Sequence, residues 1–177
     1  MRRRRPVTIS LPGGTGFIGR HLIQELLRRR TGKIFVLVRT RSLGRFEEQL
    51  ARRDAGAERV VPVVGDLVVP SFGLAGAQLA DLCGRVAHFF HVGGLYDMAA
   101  SERALDEVNV VGTRNAVEVA ERIAARRFHH VSSIAVAGRY DGVFREDMFD
   151  EAGDLQDPYF RTKHESERIV RTACAVP

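Results

Sequence analysis

The chain has 177 residues, 45% of them hydrophobic and 28% charged, with a net charge of +5 and a pI near 9.9. This length suits one domain with an adequate core, and neither a signal-peptide apolar region nor a run of membrane-spanning length appears, so no membrane partner is expected. Basic residues are scattered and the MRRRR start is short, which argues against nucleic-acid binding; Cys83 and Cys174 fall in no metal or redox spacing, as in a cytoplasmic protein with reduced thiols.

Val7 to Leu11 is a short β-rich run, and Ile18, Leu22, Ile23, Leu26 and Leu27 then recur at helical spacing until Gly32. Gly13, Gly16 and Gly19 therefore sit in a strand-to-helix turn. Glycines in that setting let the backbone approach a pyrophosphate, which the helix N-terminus and its dipole hold.

The second strand, Ile34 to Val38, runs into Arg39, with Arg41 close behind and no acid between Val38 and Phe46. A dinucleotide fold selecting NAD usually carries a carboxylate about here for the ribose 2′-hydroxyl. Arg39 has the opposite charge and suits a 2′-phosphate, so NADP is expected over NAD.

Val60 to Val64, Val86 to Phe90 and Phe128 to Ser132 are further apolar runs of strand length, as parallel strands covered on both faces should be. Between them Leu43 to Arg53 and Leu74 to Leu82 read as short helices, and Leu105, Val108, Val111, Val117, Ala120 and Ile123 run along a longer one. The succession predicts an α/β fold: a Rossmann-type, doubly wound parallel sheet in three αβα layers, in the order 3-2-1-4-5. His88, His91, His129 and His130 invite a zinc site, but strand alternation parts neighbours and no cluster of ligand spacing accompanies them; no metal is expected.

Asp157 and Pro158 form a good N-cap and first helical residue, and Tyr159 and Lys163 follow four apart on one helix face. Only Lys33 and Lys163 are lysines among 27 basic residues. A phenol beside a fixed cation ionises more easily than its ordinary value of about 10 allows, which makes Tyr159 a candidate proton donor to a carbonyl.

Together these features resemble the extended short-chain dehydrogenase/reductases. GGTGFIG matches their glycine turn, and GDL at Gly65 to Leu67, NVVGTRN at Asn109 to Asn115, VSSIAVAG at Val131 to Gly138 and YFRTK follow in the family's order. HVGGLYD is similar to the branch holding fatty acyl and carboxylic acid reductase domains and polyketide-cluster reductases. The resemblance implies Tyr159 as acid/base, Lys163 as the ribose-binding residue that tunes it, and Ser133, with Ser132 as alternative, as the hydroxyl on the substrate oxygen. It implies a cofactor held by Gly13, Thr15, Gly16, Phe17, Ile18 and Gly19, by Arg39, by Asp66 and Leu67 at the adenine, by His91, Val92 and Gly93 mostly through backbone, and by Tyr159 and Lys163.

Pro12 stands where the family usually has threonine, and Gly93 and Gly94 replace an alanine pair, which predicts a looser phosphate turn. Relatives continue past this length, so residues 1–177 read as the N-terminal part of a longer protein, stopping before a sixth strand and a substrate region, and by themselves a poor enzyme. The expected reaction is NADPH-dependent reduction of a carbonyl or acyl thioester. The alternatives are a sugar-nucleotide epimerase or dehydratase and a non-catalytic NADP-sensing or scaffold domain. A homodimer is compatible with the full-length protein.

Overall fold

The computed structural model describes residues 8–52, 56–97 and 99–174. Met1 to Val7, including the MRRRR start and the first residue of the expected strand, lie outside them, as do Arg53 and Ala175 to Pro177. Among the described residues five parallel strands form one sheet in the order β3-β2-β1-β4-β5: β1 Thr8–Leu11, β2 Ile34–Val38, β3 Val60–Val64, β4 Val86–His91 and β5 Phe128–His130. This is the expected doubly wound order.

The apolar runs form strands because both sheet faces are covered. In β2, Ile34, Val36 and Val38 join Ile23 and Leu26 of helix α1 (Phe17–Arg29) and Phe46 of α2 (Leu43–Ala51) in one core. Phe35 turns to the other face, where it meets Leu79 and Leu82 of α3 (Gly76–Leu82) and Ala116 and Val119 of α5 (Gly112–Arg122). A period of two sends alternate residues to two buried layers. Arg59, before β3, donates to the carbonyls of Arg30 and Leu27 at 2.5 and 2.6 Å and so closes the end of α1.

Three expectations shift. Helix α3 starts at Gly76 rather than Leu74, since Leu74 is extended and ends a left-handed turn through Ser71, Phe72 and Gly73. Strand β5 ends at His130, not Ser132, because Ser133 turns the chain into a 3-10 segment at Ile134–Ala137. The long helix is interrupted: α4 (Glu102–Leu105) passes into a π-helical segment, Asp106–Val111, before α5. The π turn rotates the buried face, so Val111 is exposed while Asn109, Gly112, Thr113 and Asn115 face inward.

Candidate active site

The turn from β1 into α1 is built on missing side chains. Gly13 has φ +87°, and a Cβ there would meet the Gly93 nitrogen at 2.4 Å; one on Gly19 would meet the Gly13 oxygen at 2.3 Å. Pro12 leaves this turn tight, its carbonyl accepting from Val92 N at 3.0 Å. Gly16 caps α1 without a side chain, and the first helical turn holds no acid. The N–H groups of that turn therefore have no anionic side chain to serve them, which fits a pyrophosphate at a helix N-terminus.

In front of this turn lies a cleft of about 410 Å³ lined by Gly13, Thr15, Gly16, Leu37, Arg39, Gly65, Asp66, Leu67, Val68, Val92, Gly93, Gly94, Leu95, Glu107 and Val108. It gathers most of the cofactor residues expected from sequence. Arg39 also borders an adjoining depression of about 580 Å³ with Arg41, Asp66 and Phe72. Asp66 is held by its own loop, Val68 N donating to its carboxylate at 3.2 Å and its N–H to Phe72 O at 3.0 Å.

Three expected contacts are not made by lining side chains. Phe17 and Ile18 are exposed and stand off the cleft wall, and Gly19 is buried beneath it. The His91 side chain is wholly buried behind the strand, so only its backbone is left to the cofactor side.

Helix α6 (Pro158–Cys174) carries the other half of the site. Asp157 caps it as expected, accepting from Tyr159 N at 2.8 Å and Phe160 N at 3.3 Å. Tyr159 and Lys163 lie on its buried face, 9% and 7% exposed, outside the dinucleotide cleft proper. Tyr159 packs with Leu105 and Ala135, and among the described residues no group hydrogen-bonds its hydroxyl. Lys163 Nζ donates to Val131 O at 3.2 Å. Burial lowers the Lys163 pKa, with Glu167 opposing.

The two serines differ. Ser132 is tied to the Glu167 carboxylate on α6, whereas Ser133 caps the following segment, accepting from Ala135 N at 3.2 Å with its proton left to donate elsewhere.

Behind Tyr159 and Lys163 runs a buried polar chain that sequence reasoning did not assign. Asn109 Oδ1 accepts from Leu95 N at 2.7 Å, and its Nδ2 reaches Leu95 O and Thr162 Oγ1, both at 3.2 Å. The post-β4 loop is thereby clipped to α6 one residue from Lys163. Thr113 Oγ1 donates to Asn109 O at 2.6 Å, so it accepts from His91 Nε2 at 2.8 Å and from Ser166 Oγ at 3.2 Å. Ser166 Oγ in turn accepts a hydrogen bond from His130 Nε2 at 3.2 Å. Both imidazoles keep their Nδ1 atoms buried without a partner, a setting that favours the neutral ring. Burial pushes His91 well below its usual range and His130 down to about 4, the Lys163 charge adding to both and Glu167 opposing at His130. Asn115 completes the set, donating to Leu67 O at 2.9 Å at the cleft.

The outer histidines form a different pair, His88 Nδ1 lying 2.9 Å from His129 Nε2 with both rings stacked by Phe90. Among the described residues no group of three or more metal-ligating side chains gathers, and no helix is long and apolar enough to cross a membrane.

A family model described as male sterility protein matches residues 11–177. The chain belongs to that family. It is a branch of the extended short-chain dehydrogenase/reductases, so a nicotinamide dinucleotide is the cofactor class of this domain. One component of the linear gramicidin synthase of Brevibacillus parabrevis is 32% identical over 179 residues, which span 92% of this chain and 4% of that protein. The L-2-aminoadipate reductase large subunit of Penicillium chrysogenum is 32% identical over 136 residues, 71% of this chain and 10% of that one. Among solved structures, the terminal R domain from the myxalamid PKS-NRPS biosynthetic pathway superposes with a TM-score of 0.83 at 30% identity, covering 96% of this chain and 46% of that domain. This male sterility family chain therefore spans a small part of those two proteins and under half of that R domain.

Proposed function

We propose that the chain is the cofactor-binding and proton-donating part of an NADPH-dependent reductase of a carbonyl or acyl-thioester substrate, with Tyr159 as general acid. The observation that carries this reading is the shared buried face of Tyr159 and Lys163 on α6, with the tyrosine hydroxyl left unbonded by the described residues. The named reductase among the relatives and the likeness to an R domain support it.

The cleft residues fit a dinucleotide. Gly13, Thr15 and Gly16, with the α1 N-terminus, would hold its pyrophosphate, Arg39 a 2′-phosphate and Asp66 and Leu67 the adenine, while Lys163, on α6 outside the cleft, would hold a ribose. When bound, the nicotinamide supplies hydride. Ser133 Oγ donates a hydrogen bond to the substrate oxygen and holds it toward Tyr159. As negative charge grows on that oxygen, Tyr159 transfers its phenolic proton to it. The Lys163 ammonium lowers the cost of the phenolate left behind; Val131 O holds that ammonium, and the neutral histidines behind it add no competing charge.

The test, made on the full-length protein, is net NADPH oxidation, with product analysis, on acyl-pantetheine thioesters and aldehydes. Stoichiometric consumption supports reduction. Turnover of a sugar nucleotide with no net consumption would replace it with epimerisation or dehydration, and tight NADPH binding without turnover of any class would leave a sensing domain.

A further inference from the structure

We propose that Tyr96 is a substrate-contacting residue that selects an apolar acyl chain on the carbonyl reduced at Tyr159; this rests on the reductase reading above. Tyr96 is 76% exposed, yet its ring meets that of Tyr159 in an edge-to-face contact, the centroids 5.1 Å apart and the planes at 68°. A lone exposed aromatic means little, because most protein surface is apolar anyway. This one is held. On one side Leu95 is bonded through both its N–H and its carbonyl to Asn109, itself 1% exposed. On the other, Asp97 closes a turn, its carboxylate accepting from Ala99 N at 2.9 Å and its carbonyl from Ala100 N at 3.1 Å.

The ring therefore stands on a braced backbone at one particular junction. Leu95 lines the dinucleotide cleft while its neighbour Tyr96 rests on the candidate acid, so Tyr96 borders the space next to the reacting carbonyl. The segment carrying Ser133 makes a second apolar border. Ile134 is 95% exposed, and Ala135 beside it packs into the cluster that holds Tyr159. An aromatic face and an aliphatic side chain reward contact with hydrocarbon and offer few of the hydrogen bonds that sugar hydroxyls require. The substrate class that matches is a thioester or aldehyde with an extended apolar acyl chain.

The experiment uses the full-length protein and measures binding of dodecanoyl- and acetyl-pantetheine by calorimetry in the presence of NADP⁺, which cannot reduce them, alongside NADPH oxidation with both. Wild-type protein is expected to bind the dodecanoyl compound more tightly. Tyr96→Ala should weaken that binding about tenfold or more while acetyl binding changes far less, because only the long chain loses aromatic contact. Tyr96→Phe should retain the preference, and Tyr96→Gln should lose it, which covers the case of an alanine variant that misfolds; unchanged NADP⁺ affinity reports an intact fold. No binding of the long-chain compound by wild type, no chain-length preference, or a preference that survives both Tyr96→Ala and Tyr96→Gln overturns the assignment. Absence of NADPH oxidation with a preference that depends on Tyr96 would instead sink the reductase reading and leave an acyl-binding site.

Discussion

The turn at Gly13 to Gly19 and the helix face of Tyr159 and Lys163 are both close-packed, by opposite means. At the turn, backbone lies on backbone because three glycines put nothing in the way, and an added Cβ at Gly13 would fall 2.4 Å from Gly93. Behind α6, order comes from side chains: Asn109, Thr113, Ser166, His91 and His130 bond one another in a buried chain that joins β4, β5, α5 and α6. The first arrangement leaves donors facing outward for an anionic ligand. The second keeps a lysine and a tyrosine fixed in a partly desolvated setting, where a proton donor can be tuned.

Tyr159→Phe is the sharpest cut between the two halves. In the full-length protein it keeps the ring that packs on Leu105 and Ala135 but removes the proton, so steady-state reduction should fall by about 10²–10⁴ while NADPH affinity stays within a few-fold. Retention of most activity would mean that another group is the acid.

Gly13→Ala attacks the other half. A left-handed residue driven into the Gly93 backbone should cost about 3 kcal/mol in urea unfolding and abolish tight NADPH binding. A variant of wild-type stability would show that the turn has more room than its backbone packing allows.

Acid should strike the α6 side selectively. His91 and His130 are neutral when folded and take up protons when unfolded below the ordinary value of about 6.5. The unfolded chain then binds more protons, so stability is lost as pH falls below about 6.5; the His130 share runs down to about pH 4 and amounts to about 3 kcal/mol. His130→Gln should flatten that slope. An unaltered pH dependence of the unfolding free energy in this variant would contradict the burial argument.

Arg39→Asp tests the outer rim of the cleft and should give the smallest change. Losing a charge-assisted phosphate contact costs roughly 1.5–3 kcal/mol, so the ratio of NADPH to NADH affinity should collapse or invert with no effect on stability. Equal affinities for the two cofactors in wild type would remove the basis for preferring NADP.

The glycine half was legible in the chain and most of the polar half was not. Gly13, Gly16 and Gly19 between an apolar run and a helical period already mark a turn that approaches phosphate, and Asp157–Pro158 announces α6 with Tyr159 and Lys163 on one face. Asn109 and Thr113 show in the sequence only as members of the NVVGTRN motif, with no role attached, and Ser166 leaves no signal. The first two are four apart inside an otherwise apolar helical stripe, a spacing that points two polar groups at the core, but their partners lie up to 53 residues away and leave no period to read. The π turn escaped for the same reason, since a pattern of Val108, Val111 and Val117 fits an uninterrupted helix while the observed buried face runs through Asn109 and Thr113.

By itself, then, the sequence determined the course of the strands, their 3-2-1-4-5 order, the glycine turn and the placing of Tyr159 and Lys163 on one helix face, because each depends on residues close in the chain or on the one handedness that parallel crossovers allow. Tertiary structure alone decided which polar groups would be buried together, that Ser132 is engaged by Glu167 while Ser133 keeps a free proton, and that Tyr96 stands against Tyr159. Those outcomes follow from the desolvation of groups distant in sequence, where a buried donor or acceptor must find whichever partner the packed elements bring within reach.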